Sequence, residues 1–407
     1  MAWRAYIVDT ISGQLLCPID LPNFSWSVSV ADSSLSTTKS KGVGQDEVSG
    51  LKVPWTAVPA NSPGERSRLL APDRRSIALC WTSPLDSEDA IGTPILCGLI
   101  GQRKDGPLDT DFSLTSIYGL LGDRYLVREG VYGAANGSTS TDVINFSDLS
   151  LRAIAAEAGW LCTTAKPGGG LPIDWHYRGE KGSHSHQREY DSWDIQNLKC
   201  SAVWDKIANV ENGPDLQLRP KLSGDTIRFD FLAGSDADPN IAQDTILELS
   251  SSPYGGTLEN MTIDHLGAVH RVYASGSGTD KAQLCHLSED LSLVNGNHEP
   301  FPLREMTYSD TDAADANLLR QHADGVLAAN HAPLMQIKGE LHANDVSVDG
   351  TPLHPLGSFW PGETMRLDIQ GFPSLSDGVY ECRLMQMSGD QSDKVSLIFD
   401  AMEDPMA

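Results

Sequence analysis

The chain has 407 residues, with 30 Lys and Arg against 55 Asp and Glu, for a formal charge of −25. Hydrophobic residues make up 40% and charged residues 21%, which excludes disordered, collagenous and coiled-coil classes and leaves length for about two or three domains. The acidity excludes most sequence-independent nucleic-acid binding and a polybasic membrane-surface protein, because both rest on Lys and Arg meeting phosphate.

The seven cysteines (Cys17, Cys80, Cys97, Cys162, Cys200, Cys285 and Cys382) are dispersed, odd in number and form no C-x-x-C pair. They read as buried thiols in a reducing compartment. Met1–Tyr6 has no basic region leading into an apolar one, and no run approaches the ~20 apolar residues that cross a bilayer. The expectation is a protein made and folded in a cytoplasm with no membrane-spanning segment. The sequons at Asn136 and Asn145 then carry no glycan.

In chain order, Tyr6–Val8 and Leu15–Leu16 flank Ser12-Gly13 as a hairpin. Phe24, Trp26, Val28 and Val30 alternate with serines, the period of a half-buried strand. Ile77–Trp81 and Ile95–Ile100 are continuous apolar runs, as in strands buried on both faces, and Leu114–Val127 continues the strand pattern. Gly133–Thr141 reads as an exposed loop. A helix follows, with Ser147 as its cap, Leu151, Ile154, Ala155 and Ala158 as its apolar face, and Gly159 as its stop. Lys166–His186 reads as irregular, and a second helix spans about Cys200–Val210. Leu216–Pro220 and Thr226–Phe231 form a strand pair around Ser223-Gly224-Asp225.

Strands return at Met261–Ile263 and Ala268–Ala274. The strongest helical pattern runs from Asp312 to Ala329, with Asp312 and Asp315 spaced as an acidic capping box and a stripe of Leu318, Leu319, His322, Ala323, Val326 and Leu327. Met335–Leu341, Met365–Ile369, Tyr380–Leu384 and Val395–Phe399 read as closing strands. The fold class is mainly β with an α+β insertion. The division is a strand-rich region over 1–145, a mixed region over 146–244 with helices near 148–158 and 200–210, and a second strand-rich region over 245–407 carrying the 312–329 helix.

The search for chemistry is largely negative. There is no G-x-S-x-G, H-E-x-x-H or P-loop signature, and the glycine-rich Gly130–Thr139 lacks the phosphate-binding Lys. His176, His184 and His186 crowd one irregular segment. His184-x-His186 could bind a transition metal, although no third ligand stands at useful spacing and a solvated polar loop is the plainer reading. Asp236-x-Asp238 starts like a calcium loop but lacks the distal Glu, so a turn is preferred. Asp310, Asp312 and Asp315 suit a helix N-terminus. Cys162 and Cys200 read as structural thiols, not nucleophiles. No catalytic, cofactor or metal residue is assigned, so no cofactor and no enzymatic activity are expected. Six aromatic residues concentrate between Trp160 and Trp204. Trp160 and Trp204 fall on or beside helices and suit a core. Trp175 and Tyr177 fall in the irregular segment and are the candidate exposed interaction aromatics.

Four stretches, in this order, resemble the minor tail proteins of siphophages of actinobacteria, of the baseplate or tail-hub kind. They are Leu96–Ile100 running to Leu120–Leu126; Val203–Ala208 with Gly213–Pro220; Pro302–Glu305 ahead of the Asp312–Ala329 helix; and Phe359-Trp360-Pro361-Gly362-Glu363-Thr364-Met365-Arg366-Leu367. Together they cover most of the chain. The resemblance implies two tail-tube-like β-barrel or sandwich domains plus a smaller mixed domain. It implies a structural homotrimer whose pseudo-sixfold ring closes the tail tube, adapts sixfold to threefold symmetry and lets DNA pass. The implied partners are its own copies, a distal tail protein, a tape measure protein and other tail-tip or receptor-binding proteins, with genomic DNA passing only transiently. The implied location is the virion tail tip after assembly in the host cytoplasm. No fused lysozyme, peptidase or fibre repeat is visible. A carbohydrate- or receptor-binding tail module using Trp175 and Tyr177 is the alternative, and a cell-wall hydrolase the third reading.

Overall fold

The computed structural model of the chain describes residues 3–36, 50–133, 139–182, 186–210, 212–296, 299–310, 313 and 315–403. Strands account for 41% of the structure and helices for 15%, so the mainly β expectation holds. The strands form several sheets, and among the described residues none closes into a barrel. The chain divides into two compact units, one of 1–249, 340–367 and 383–397, the other of 250–339, 368–382 and 398–407.

The first unit opens with β1 (Trp3–Asp9), β2 (Leu15–Ile19), β3 (Ser25–Ser29), β4 (Ser33–Ser36), β5 (Leu51–Pro54), helix α1 (Pro63–Leu69), β6 (Arg75–Trp81), β7 (Thr93–Asp105) and β8 (Asp109–Ser116). One six-stranded sheet has the order β2-β1-β6-β7-β8-β5. All seven residues of β6 are buried, as a central strand covered on both faces requires. The predicted first hairpin forms at Gly13, whose φ of +75° favours glycine and where a Cβ would lie 2.0 Å from the Ile227 carbonyl. On β3, Trp26 and Val28 are buried between serines. Next to it an aromatic cluster gathers around Trp3, whose ring lies 4.8 Å from Trp81, 5.3 Å from Trp26 and 5.9 Å from Phe24.

The strand expected through Leu114–Val127 gives way to helix α2 (Ile117–Leu121), because the Ser116 hydroxyl accepts from the Gly119 amide and caps a turn. Then come β9 (Val143–Leu149), α3 (Leu151–Cys162), β10 (Ile173–Asp174), β11 (His186–Asp191), α4 (Cys200–Ala208), β12 (Leu216–Ser223) and β13 (Thr226–Ala233). Ser147 is not the cap of α3. It pairs with Gln187 in the β9–β11 ribbon, and Ser150 caps instead, accepting from Ala153 N at 3.2 Å. Gly159 does not stop α3 either. It lies inside the helix, where a Cβ would stand 2.3 Å from the Trp175 ring, so glycine is there to let that indole in. Helices α3 and α4 pack with the β10-β13-β12 sheet around Ile154, Ala155, Val203, Trp204 and Phe231, all of them wholly buried. The Trp204 indole donates to the Ala155 carbonyl at 2.9 Å, satisfying its one polar atom.

Strand β14 spans Leu247–Ser251. The second unit carries β15 (Glu259–Leu266), β16 (Arg271–Ser275), β17 (Cys285–Glu289), β18 (Glu305–Ser309) and α5 (Ala316–Ala328). A three-stranded sheet of order β17-β16-β18 packs against α5. That helix starts four residues later than its sequence pattern predicts. Asp315 is its cap, accepting from Asn317 N at 2.7 Å and Leu318 N at 3.2 Å, while Asp312 lies outside the described residues. The buried stripe narrows to Leu319, Ala323 and Leu327, at i, i+4 and i+8. The closing strands are β19 (Leu334–His342), β20 (Thr364–Ile369), β21 (Gly378–Asp390) and β22 (Lys394–Glu403).

The Trp204 contact sets a test of the helical layer. Trp204→Ala removes a wholly buried indole and is expected to lower unfolding free energy by about 3–5 kcal/mol. Guanidinium titration followed by near-ultraviolet circular dichroism measures it, and a loss below about 1 kcal/mol would show that the layer is not load-sharing as described.

Candidate functional site

A buried polar assembly of the first unit joins two of the stretches that carry the tail-protein resemblance. Strand β12 presents Gln217 and Arg219 on one face, and the turn Trp360-Pro361-Gly362-Glu363 lies buried against them. The Gln217 amide donates to the Pro361 carbonyl at 3.1 Å across 144 residues of sequence. Arg219 Nε donates to Gln217 Oε1 at 3.0 Å, its Nη2 meets Glu363 Oε1 at 3.1 Å, and its guanidinium stands 5.0 Å from the centre of the Trp360 ring. Glu363 Oε2 accepts from the Trp360 amide at 3.0 Å, which closes the turn. Gly362, at φ +96°, donates to the Leu384 carbonyl at 2.6 Å, and its own carbonyl accepts from Arg383 Nε at 3.1 Å. Arg383 also pairs with Asp215, just ahead of β12.

Burial dominates the electrostatics. It pushes the Glu363 carboxyl up against the opposing pull of Arg219, and pushes the Arg219 guanidinium down against that of Glu363. Each charge is thus placed where water would serve it better, and each is held by the other. Among the described residues, no free nucleophile stands beside a base at this site. Its chemistry is to fix one turn to one strand.

The structure places Trp175 and Tyr177 half-buried, both packed on the α3–α4 core. Trp175 lies 5.4 Å from Phe231 and 6.1 Å from Trp204, and Tyr177 lies 6.3 Å from Phe231 beneath Arg152 at 4.3 Å. The irregular look of their segment hid a core contact made through Gly159. The openly exposed indole of this region is Trp193, at 56%. Of the three clustered histidines, His176 pairs with Asp230 at 2.8 Å and His186 with Asp236 at 3.5 Å, while His184 lies outside the described residues. Among the described residues no three His, Cys, Asp or Glu side chains converge as a metal site requires. Asp236 also accepts from the Leu151 amide at the start of α3, and Asp238 closes a turn with Ser235, so this pair of acids serves a helix end and a turn. Cys162 and Cys200 are buried, and contact with the Cys162 thiol together with burial drives the Cys200 thiol upward, away from reactivity. Periodicity did not mark Arg219 or Glu363, which the sequence singles out only as members of two resembling stretches.

No protein-family model matches the chain, and no curated protein matches it. It is similar to several solved structures. A tail protein from Neisseria meningitidis MC58 has a TM-score of 0.45 at 13% identity, covering 100% of this chain and 98% of that one. Prophage tail protein gp18 from Listeria monocytogenes has a TM-score of 0.41 at 11% identity, covering 97% and 94%. The 43 kDa tail protein of prophage MuSo2 from Shewanella oneidensis has a TM-score of 0.47 at 6% identity, covering 98% and 98%.

Two outcomes follow from the geometry. Arg219→Met alone strands the Glu363 carboxylate and is expected to destabilise by about 3–5 kcal/mol, whereas Arg219→Met with Glu363→Leu recovers most of that loss. Thermal unfolding of the two variants distinguishes this from simple loss of packing, which the double variant would deepen. His354 is 1% exposed, and burial lowers its pKa despite Asp345 at 3.5 Å. The unfolded chain therefore takes up the proton first, so stability is present above the ordinary histidine pKa and falls as pH drops through about 6.5. The protection factors of amides over residues 343–356, corrected for the intrinsic pH dependence of exchange, are expected to fall on acidification in the native chain and to lose that fall in His354→Gln.

Proposed function

We propose that the chain is a non-enzymatic structural subunit of a phage tail hub. The observation that carries this reading is the Arg219–Glu363 assembly, in which the second and fourth resembling stretches meet as one packed piece and their buried polar groups are used for holding chain to chain. The other groups that invited a chemical reading are similarly engaged, His176 with the Asp230 carboxylate, His186 with that of Asp236, and Asp236 with a helix end. The solved structures named above are tail proteins.

In this reading three copies form a ring at the tail tip. The ring adapts the sixfold tube to a threefold tip, contacts the distal tail, tape measure and receptor-binding proteins, and lets DNA pass without holding it. An acidic chain suits that passage, since a lumen that attracted phosphate would retain DNA by counterion release, while an acidic one repels it. Assembly takes place in the host cytoplasm and the mature location is the virion.

Native mass spectrometry of the purified 44.0 kDa chain, with negative-stain imaging, tests the reading and is expected to give a trimer and a threefold ring. A monomer at every concentration, combined with no ring of this protein at the tip of intact virions, overturns it.

A further inference from the structure

The first unit holds a groove of about 830 Å³ that none of the foregoing uses, and the way it is built identifies a ligand class. This volume falls within the roughly 300–1,000 Å³ of small-ligand pockets. Its floor is set by strand register. Ile19 on β2, Ala5 on β1 and Leu79 on β6 stand opposite one another in a single row across three adjacent strands. The small central residue leaves a hollow between two branched ones. Leu21 and Phe24 continue the apolar lining, and Pro18 and Pro22 stiffen the segment that forms one wall.

The opposite wall is clamped. The Trp3 indole donates to the Ser392 carbonyl at 2.9 Å, and the Trp26 indole donates to the Asp390 carbonyl at 3.2 Å. These carbonyls belong to the two neighbours of Gln391, which lines the groove. The backbone on both sides of Gln391 is thereby fixed by two tryptophans of the aromatic cluster. Among the described residues, the Gln391 amide and the exposed Asp20 carboxylate make no hydrogen bond or ion pair within the chain. Arg4, also on the rim, donates to the Glu88 carbonyl and borders a second cleft lined by Asp86 and Glu88. The rim thus offers an uncommitted carboxylate, an uncommitted amide and a guanidinium with acids beside it, above a preformed apolar floor.

We propose that this groove binds a peptide segment carrying an apolar side chain next to a Lys or Arg. The apolar side chain fills the hollow over Ala5, the Gln391 amide meets a peptide group, and the cation meets Asp20. Charge complementarity selects the sign, since of the two charges lining the groove Arg4 is held by the Glu88 carbonyl while Asp20 is uncommitted, in a chain with net charge −25. Preorganisation by prolines and indole clamps removes part of the ordering cost of binding. The proposal stands independently of the ring, because the groove is complete within the first unit of one chain.

Two acetylated, amidated tetrapeptides test it on the full chain, Lys-Leu-Phe-Lys and Glu-Leu-Phe-Glu. Titrations are followed by the ¹⁵N-indole resonance of Trp3. The basic peptide is expected to shift that resonance saturably and the acidic one to bind roughly tenfold more weakly. Asp20→Asn is expected to remove most of that preference. Ala5→Leu is expected to fill the hollow and abolish binding with the thermal midpoint retained. If Ala5→Leu fails to fold, Asp20→Lys at an exposed position replaces it and is expected to reverse the preference. Equal binding of both peptides, binding of neither at millimolar concentration, or a preference unchanged by the Asp20 variants overturns the proposal. None of these outcomes bears on the trimer.

Discussion

The first unit depends on one constraint, the buried pairing of Arg219 with Glu363 beneath the Trp360 ring. A turn arriving 144 residues after the strand it packs on has no local force to set its position. Apolar contact alone would accept several registers, since Trp360, Pro361 and the leucines of β12 are oily and non-directional. The charged pair accepts one. Arg219 must reach Glu363 while its Nε serves Gln217, Gln217 must reach Pro361, and Glu363 must also close its own turn. Burial works against both charges, so the pair is a poor source of stability compared with an apolar replacement. Its physical value lies in making a misplaced turn far worse than a correct one.

The aromatic cluster around Trp3 works by the same logic with neutral groups. Each indole buries its rings with its neighbours and then uses its single N–H on a distant carbonyl, Trp26 on Asp390 and Trp3 on Ser392. Two donors at adjacent positions in space thereby fix three consecutive residues near the far end of the sequence. Packing supplies the attraction and the hydrogen bonds supply the address. That division recurs in α4, where Trp204 fills the core and marks its place with the Ala155 carbonyl.

Much of the fold was legible because period and burial are local properties. Trp26 and Val28 between serines, the continuous apolar run of β6 and the i, i+4, i+8 stripe of α5 follow directly from strand and helix geometry. Boundaries were less legible, because a cap competes with whatever else its residue can do. Ser147 was drawn into the β9–β11 ladder and ceded the cap to Ser150, and Ser116 turned an apparent strand into a helix. The site was illegible for a different reason. Arg219, Glu363 and Gln391 take their places in the fold through partners more than a hundred residues away as well as local ones, and periodicity holds no trace of the distant pairing. The packing of Trp175 was illegible in the same way, since the space that receives it is left by the missing Cβ of Gly159 on another element.

The charge balance can be read more finely once the ion pairs are placed. Many of the 30 Lys and Arg are committed within the chain, as in Arg75 with Asp9, Arg152 with Glu180, Arg178 with Glu157 and Arg228 with Asp174. A paired cation is a weak attractor, because its field is cancelled within a few ångströms by its own carboxylate. Acids such as Asp20, Asp89 and Glu129 stand exposed and carry the net charge into solvent. Each internal pair removes one acid and one base together, so the surplus behind the net charge of −25 is carried by the acids left unpaired. The same arrangement that holds segments together thus also leaves the net negative charge on exposed acids.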